Sequence, residues 1–224
     1  MVGNAEKEIE IMWPFAIAIG AVVAIAAAIG SAKKTVLEEN FERLSRLLDD
    51  GRALSVAVIG QAGAGKSSLI DTVTDGKSQP RPKTGQGTDA TDWSRDIKVE
   101  LFNRYQDVRF IDTPGYGTAT HSTKSYLEYL PIRKIDKIIF VIKGKIREDD
   151  EKMFKKIAQD IKERRNLIIV RAYAENMTEA EKKEILADIN TRLICGRNNI
   201  SVVFYSSRYG YGVDAVKRFV GGWN

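Results

Sequence analysis

Six short apolar runs punctuate the chain, at 54–59, 97–103, 107–111, 136–142, 166–172 and 200–205. Each is short, apolar and bounded by polar or turn-forming residues, the pattern of a buried strand. Between them lie longer stretches with helical periodicity, at 66–74, 122–134, 148–164, 177–193 and 213–220. Thr178 and Glu181 form a capping box that marks the start of the fourth. Strands alternating with helices predict an α/β fold, a mostly parallel six-stranded sheet with helices on both faces.

Two further patterns precede the first strand. From Ile11 to Gly30 no residue is charged, which is long enough for a helix to cross a bilayer's hydrocarbon core. Trp13 stands at one edge and Lys33 and Lys34 at the other, behind an acidic start with Glu6, Glu8 and Glu10. The pattern predicts a single-pass membrane protein with its later residues in the cytoplasm. A buried or self-associating helix and a signal peptide are the alternatives. Ala16, Gly20, Ala24 and Ala28 form a small-residue stripe suited to helix pairing, so a homodimer or higher oligomer is expected. From Ser31 to Asp50 the residues Val36, Leu37, Phe41, Leu44, Leu47 and Leu48 follow a helical period, and Gly51 is a plausible stop. This amphipathic helix reads as a stalk, packed on the following domain or on a second copy. The expected organisation is a hydrophobic helix over 1–30, a stalk over 31–51 and one domain over 52–224.

Composition narrows the chemistry. One cysteine, Cys195, excludes an internal disulfide framework, and one histidine, His121, excludes a multi-histidine metal cluster. Any metal must then be held by oxygen. The net charge of +5 is compatible with nucleic acid or an anionic surface, but the basic residues interleave with acids, as in Glu148-Asp149-Asp150-Glu151-Lys152. No aromatic-basic platform is evident, so no nucleic-acid partner is expected.

The chemistry begins where the first strand ends. Gly60-Gln61-Ala62-Gly63-Ala64-Gly65-Lys66-Ser67 matches G-x-x-x-x-G-K-[ST] between a strand and a helix, the context this phosphate-binding loop requires. Glycines at 60, 63 and 65 permit a tight path. Backbone N–H groups from Gly63 through Ala64, Gly65 and Lys66 to Ser67 and Ser68 then face a polyphosphate at a helix N-terminus. Lys66 supplies an ammonium to the β- and γ-phosphates, and Ser67 a hydroxyl to Mg²⁺. Downstream, Asp112-Thr113-Pro114-Gly115 closes the third run. Asp112 can hold Mg²⁺, usually through water, and Gly115 can give its N–H to the γ-phosphate. The polar loop between them contains Thr84, Thr88 and Thr91. Thr88 and Thr91 are the better placed to close on Mg²⁺, and the sequence does not choose between them.

With these motifs the chain resembles the P-loop GTPase superfamily, a TRAFAC-type G domain. It looks most similar to immunity-related, interferon-inducible GTPases and their bacterial relatives. Gly60–Ser68 and Asp112-Thr113-Pro114-Gly115-Tyr116-Gly117 carry the resemblance, which covers residues 52 to 221. It implies a guanine-reading [NT]-K-x-D motif after the fifth strand, where this chain reads Ala172-Tyr173-Ala174-Glu175. Glu175 can still accept from a guanine's N–H groups, Tyr173 can stack on either purine, and Ala172 offers no side-chain hydrogen bond. Ser206-Ser207-Arg208 resembles the last base-contacting loop. Small signalling GTPases carry a water-positioning glutamine where Tyr116 stands, so that route is closed. The asparagine found in the phosphate loop of potassium-stimulated relatives is replaced by Gly63. His121, close to the second switch, reads as a structural or solvated residue, with a catalytic role as the alternative.

The expectation is a membrane-attached nucleoside triphosphatase that binds Mg²⁺–GTP and hydrolyses it as a conformational or assembly switch. The alternatives are ATP on the same fold and a nucleotide-binding scaffold with little turnover.

Overall fold

The computed structural model describes residues 33–84, 91–194 and 200–221. The chain divides into two units, Met1–Thr35 and Val36–Asn224, and only residues 33–35 of the first are described. The second unit holds six strands: β1 (Leu54–Gly60), β2 (Asn103–Tyr105), β3 (Val108–Asp112), β4 (Lys137–Ile142), β5 (Leu167–Arg171) and β6 (Ser201–Phe204). They form one sheet in the order β2-β3-β1-β4-β5-β6. Only β2 runs antiparallel, folding onto β3 through Gln106 and Asp107; every other pairing is parallel. β1 sits centrally, with Val58 opposite Asp112 on one side and Gly60 opposite Val141 on the other. That register brings the ends of β1, β3 and β4 to one edge of the sheet.

Among the described residues six α-helices cover it: α1 (Val36–Leu48), α2 (Lys66–Val73), α3 (Thr123–Tyr129), α4 (Glu148–Asp160), α5 (Glu179–Ile189) and α6 (Val213–Val220). β1 alternates Ala57 and Ile59 towards one core with Val56 and Val58 towards the other. The first core takes Phe41 of α1, Tyr126 of α3 and Phe154 of α4. The second takes Leu69, Ile70 and Val73 of α2 with Val213, Val216 and Val220 of α6. A sheet buried on both faces explains why its central strands β1, β4 and β5 read as nearly continuous apolar runs.

The helix expected as a stalk packs into the first core. Leu37, Phe41, Leu44 and Leu48 are buried at its 3.6-residue period, while Leu47 is left exposed. Each such side chain contributes about 1.5–3 kcal/mol on burial. Asn40, fully buried, donates from Nδ2 to the carbonyls of Trp93 and Asp96, both at 2.9 Å.

Several boundaries differ from the sequence pattern. The strand expected at 97–103 is paired only over Asn103–Tyr105. Upstream, the Asp92, Asp96 and Glu100 carboxylates accept from the backbone N–H of Ser94, Lys98 and Phe102, each two residues on. Local side-chain acceptors thus take amides that a ladder would need. The helix expected to 134 stops at Tyr129, because Pro131 cannot continue it, and resumes as a 3-10 turn over Ile132–Lys134. α4 ends at Asp160, where Ile161 turns extended. α5 passes into a π-turn over Asn190–Ile194.

Among the described residues no helix is long and apolar enough to cross a membrane. The expectation of a single-pass membrane location is corrected on that finding. The run 11–30 that prompted it, with its proposed helix pairing, lies outside the described residues.

Candidate functional site

At the carboxyl edge of β1 the chain turns through Gly60–Gly65 into α2. Gly63 has φ +66°, a left-handed conformation that glycine adopts without strain. Ala64 is fully buried beneath the loop. Lys66 is also buried, and its Nζ donates to the carbonyls of Gly60 at 3.1 Å and Gln61 at 2.9 Å. Lys66, Ser67 and Ser68 begin α2, so the loop's last amides are the helix's first.

Three oxygens expected at a metal converge beside this loop. Ser67 Oγ donates to Asp112 Oδ2 at 2.7 Å, and Thr91 Oγ1 donates to the same oxygen at 2.8 Å. Asp112 is itself buried at the end of β3. Thr88 lies outside the described residues, so only Thr91 is placed here. A carboxylate and two hydroxyls form an all-oxygen set, the donor chemistry that suits Mg²⁺ and its retained waters.

Gly115 lies directly on the phosphate loop. A Cβ there would come within 2.3 Å of the Ala62 nitrogen and 2.4 Å of its Cα, so no side chain fits without parting the two segments. The next residue, Tyr116, bridges to Gln61 as a continuation of the sheet. Its ring is buried, stacks on Phe140 at 6.4 Å between centroids and meets Tyr126 edge-on. Its hydroxyl donates to Asp150 Oδ1. Burial, reinforced by the Asp150 carboxylate, pushes the Tyr116 phenol well above its ordinary pKa. It therefore stays protonated and faces the core rather than the phosphate loop.

Asp150 is the residue the sequence pattern hid. It is buried at the start of α4 and also accepts from Gln61 Nε2 and, at 2.8 Å, from the Arg147 backbone N–H. Its place in the acidic run Glu148–Glu151 reads as a solvated helix start; only its burial in the fold reveals otherwise. His121 is equally buried, which excludes a solvated role. Its Nε2 lies 3.1 Å from Asp92 Oδ1, joining the segment after Gly115 to the residue beside Thr91.

The base-reading candidates lie across the loop. Tyr173, half exposed and at φ +59°, donates from its hydroxyl to the Gly63 carbonyl at 3.1 Å. Glu175 follows in a 3-10 turn, and its Oε2 is buried without a hydrogen-bond partner. Ser206 is buried, held through its N–H to the Tyr211 carbonyl at 3.0 Å and through its Oγ by the Tyr209 N–H; Ser207 is exposed.

Residues 55–172, just over half of the chain, match the family of 50S ribosome-binding GTPases. The chain belongs to that family. This GTPase is 26% identical over 188 residues to the probable GTP-binding protein EngB of Photobacterium profundum, covering 80% of this chain and 76% of the relative. It also resembles the solved structure of a probable GTP-binding protein engB, at TM-score 0.52 and 14% identity, covering 74% of this chain and 96% of that one. Era, solved with MgGDPNP and nucleotides of 16S ribosomal RNA, gives TM-score 0.54 at 18% identity, covering 76% of this chain and 57% of that one. The structural likenesses establish the G-domain fold. The family establishes a GTP-binding domain and a P-loop GTP hydrolase, rather than a scaffold without turnover. These relatives are of EngB and Era type, so the resemblance to immunity-related GTPases is corrected to the G domain in general.

Proposed function

We propose that this GTPase binds Mg²⁺–GTP along the loop Gly60–Ser68 and reads the base with Tyr173, Glu175 and the Ser206-Ser207 turn. The observation that carries the reading is the meeting of the Ser67 and Thr91 hydroxyls on Asp112 Oδ2 beside the loop. A switch-segment threonine, the first loop hydroxyl and the strand-end carboxylate come from three distant parts of the chain.

The residues divide the work. The amides of Gly63 to Ser68 donate to phosphate oxygens, and the α2 N-terminus adds its positive end. Lys66 exchanges the Gly60 and Gln61 carbonyls for phosphate oxygens. Ser67, Thr91 and Asp112 would hold Mg²⁺, which when bound offsets charge on the β- and γ-phosphate oxygens. Gly115, seated on Ala62, brings its N–H towards the γ-phosphate side of the loop. Guanine carries N–H groups that adenine lacks on the corresponding edge, and the Glu175 Oε2 offers an acceptor without a partner. A buried acceptor left unmet costs about 1–3 kcal/mol, which favours GTP over ATP.

Competition of GTP against ATP by calorimetry, with Mg²⁺ present, tests this reading. GTP binds with measurable heat and ATP at least about 10-fold more weakly. Lys66→Ala removes binding of both, and Glu175→Ala lowers the GTP/ATP affinity ratio about 10-fold. Equal affinities, or a ratio untouched by the Glu175 substitution, would place base recognition elsewhere. Phosphate release measured over a range of protein concentrations then assigns the water-positioning groups. A constant specific activity assigns them to one chain, and a rising one to a pair of copies.

A further inference from the structure

We propose that Lys143 is a second phosphate-facing cation of the GTP site, acting opposite Lys66. Lys143 follows β4 directly, and the pairing of Gly60 with Val141 carries it to the same sheet edge as the phosphate loop. Its Nζ occupies the space over Gly63: a Cβ built there would lie only 2.8 Å from the ammonium. The ammonium thus stands where a side chain at position 63 would project. Gly63 is the first residue whose amide faces the polyphosphate, whereas Lys66 Nζ is held at the other end by Gly60 and Gln61. Among the described residues Lys143 has no ion-pair partner, in contrast to Lys134 and Lys152, which sit on carboxylates at 2.7 Å. Tyr173 fixes the same glycine through its carbonyl at 3.1 Å, so the ammonium, the tyrosine hydroxyl and the loop meet at one residue.

The physical role follows from where charge develops. Transfer of the γ-phosphoryl group to water moves negative charge onto the oxygens between the β- and γ-phosphates. A cation already fixed at the loop stabilises that charge without reorganisation. Tyr116 faces the core, and the loop's own glutamine, Gln61, is turned to Asp150. Lys143 is the side chain positioned to contribute there.

The inference rests on GTP occupying this loop, so the full-length chain is first titrated with Mg²⁺–GTP. Absence of heat there defeats the GTP reading itself. With binding established, single-turnover hydrolysis and the affinities for GTP and GDP are compared in the wild type, Lys143→Met, Lys143→Arg and Lys145→Met, with melting temperature as the folding control. Removing one charge-assisted contact slows single-turnover hydrolysis in Lys143→Met by about 10–100-fold and weakens GTP more than GDP. Lys143→Arg keeps most of the rate, Lys145→Met matches the wild type, and added methylammonium restores part of the loss in Lys143→Met alone. A Lys143→Met rate within about threefold of wild type overturns the proposal. So does equal impairment of Lys143→Met and Lys143→Arg, or a loss that tracks a lowered melting temperature.

Discussion

Tyr116 shows how one side chain can leave a familiar site and join the core. Its phenol is kept protonated at neutral pH by burial and by Asp150, so it does not serve as a base there. Tyr116→Phe keeps the ring contacts with Phe140 and Tyr126 and removes one donor from a buried carboxylate. That loss costs about 1–3 kcal/mol. The melting temperature should fall by about 2–4 °C per kcal/mol, read by calorimetry, while single-turnover GTP hydrolysis changes far less. At this scale the motifs led to the residues that the fold gathers at the loop, Lys66, Ser67 and Asp112. The sequence was silent where burial fixes the chemistry. Asp150 looks like its acidic neighbours until the fold buries it, and nothing local marks Gln61 as its partner.

The elements were legible by period, and their limits were set by side chains that compete for the backbone. α1 declares its apolar face in the spacing of Leu37, Phe41, Leu44 and Leu48. What that face meets was not legible, because Trp93 and Tyr126 arrive from far along the chain. The Phe41 ring contacts both, at 5.8 and 4.9 Å between centroids. Likewise the alternation at 97–103 looks like a strand, yet the upstream carboxylates hold its amides. Asn40 joins α1 to that irregular segment through two carbonyls. Asn40→Ala leaves the buried Trp93 carbonyl unmet and frees the part-buried Asp96 carbonyl, and should lower the urea midpoint by an amount equivalent to about 1–3 kcal/mol. An unchanged midpoint would show that the segment is held by its apolar contacts alone.

Across the whole molecule, acid should act through carboxylates held below their ordinary range. At Asp160, the Lys156 ammonium lowers the pKa most, and the Arg133 guanidinium adds to it against the opposing effect of burial. A depressed carboxyl contributes stability above its unfolded pKa and loses it as the pH falls through the folded one. Asp160 ties the end of α4 to the turn Ile132–Lys134, with Arg133 at 3.0 Å and Lys156 at 2.7 Å. Melting temperature should therefore be nearly flat above about pH 5 and fall below about pH 4. Asp160→Asn should shallow that decline by a modest amount, since both cations are partly solvated. Equal slopes in the two proteins would assign acid sensitivity to other carboxyls. The mostly parallel six-stranded sheet followed from the alternation of runs, whereas its strand order did not.

Three stretches of chain converge on the Asp150 carboxylate: the phosphate loop through Gln61, the turn after Gly115 through Tyr116, and the start of α4 through Arg147. None of the three can withdraw without loosening the grip of the other two. Whatever pulls Gly115 away from Ala62 must also tug the first turn of α4. Were that movement to accompany hydrolysis, a partner resting on that helix would sense it without approaching the phosphates.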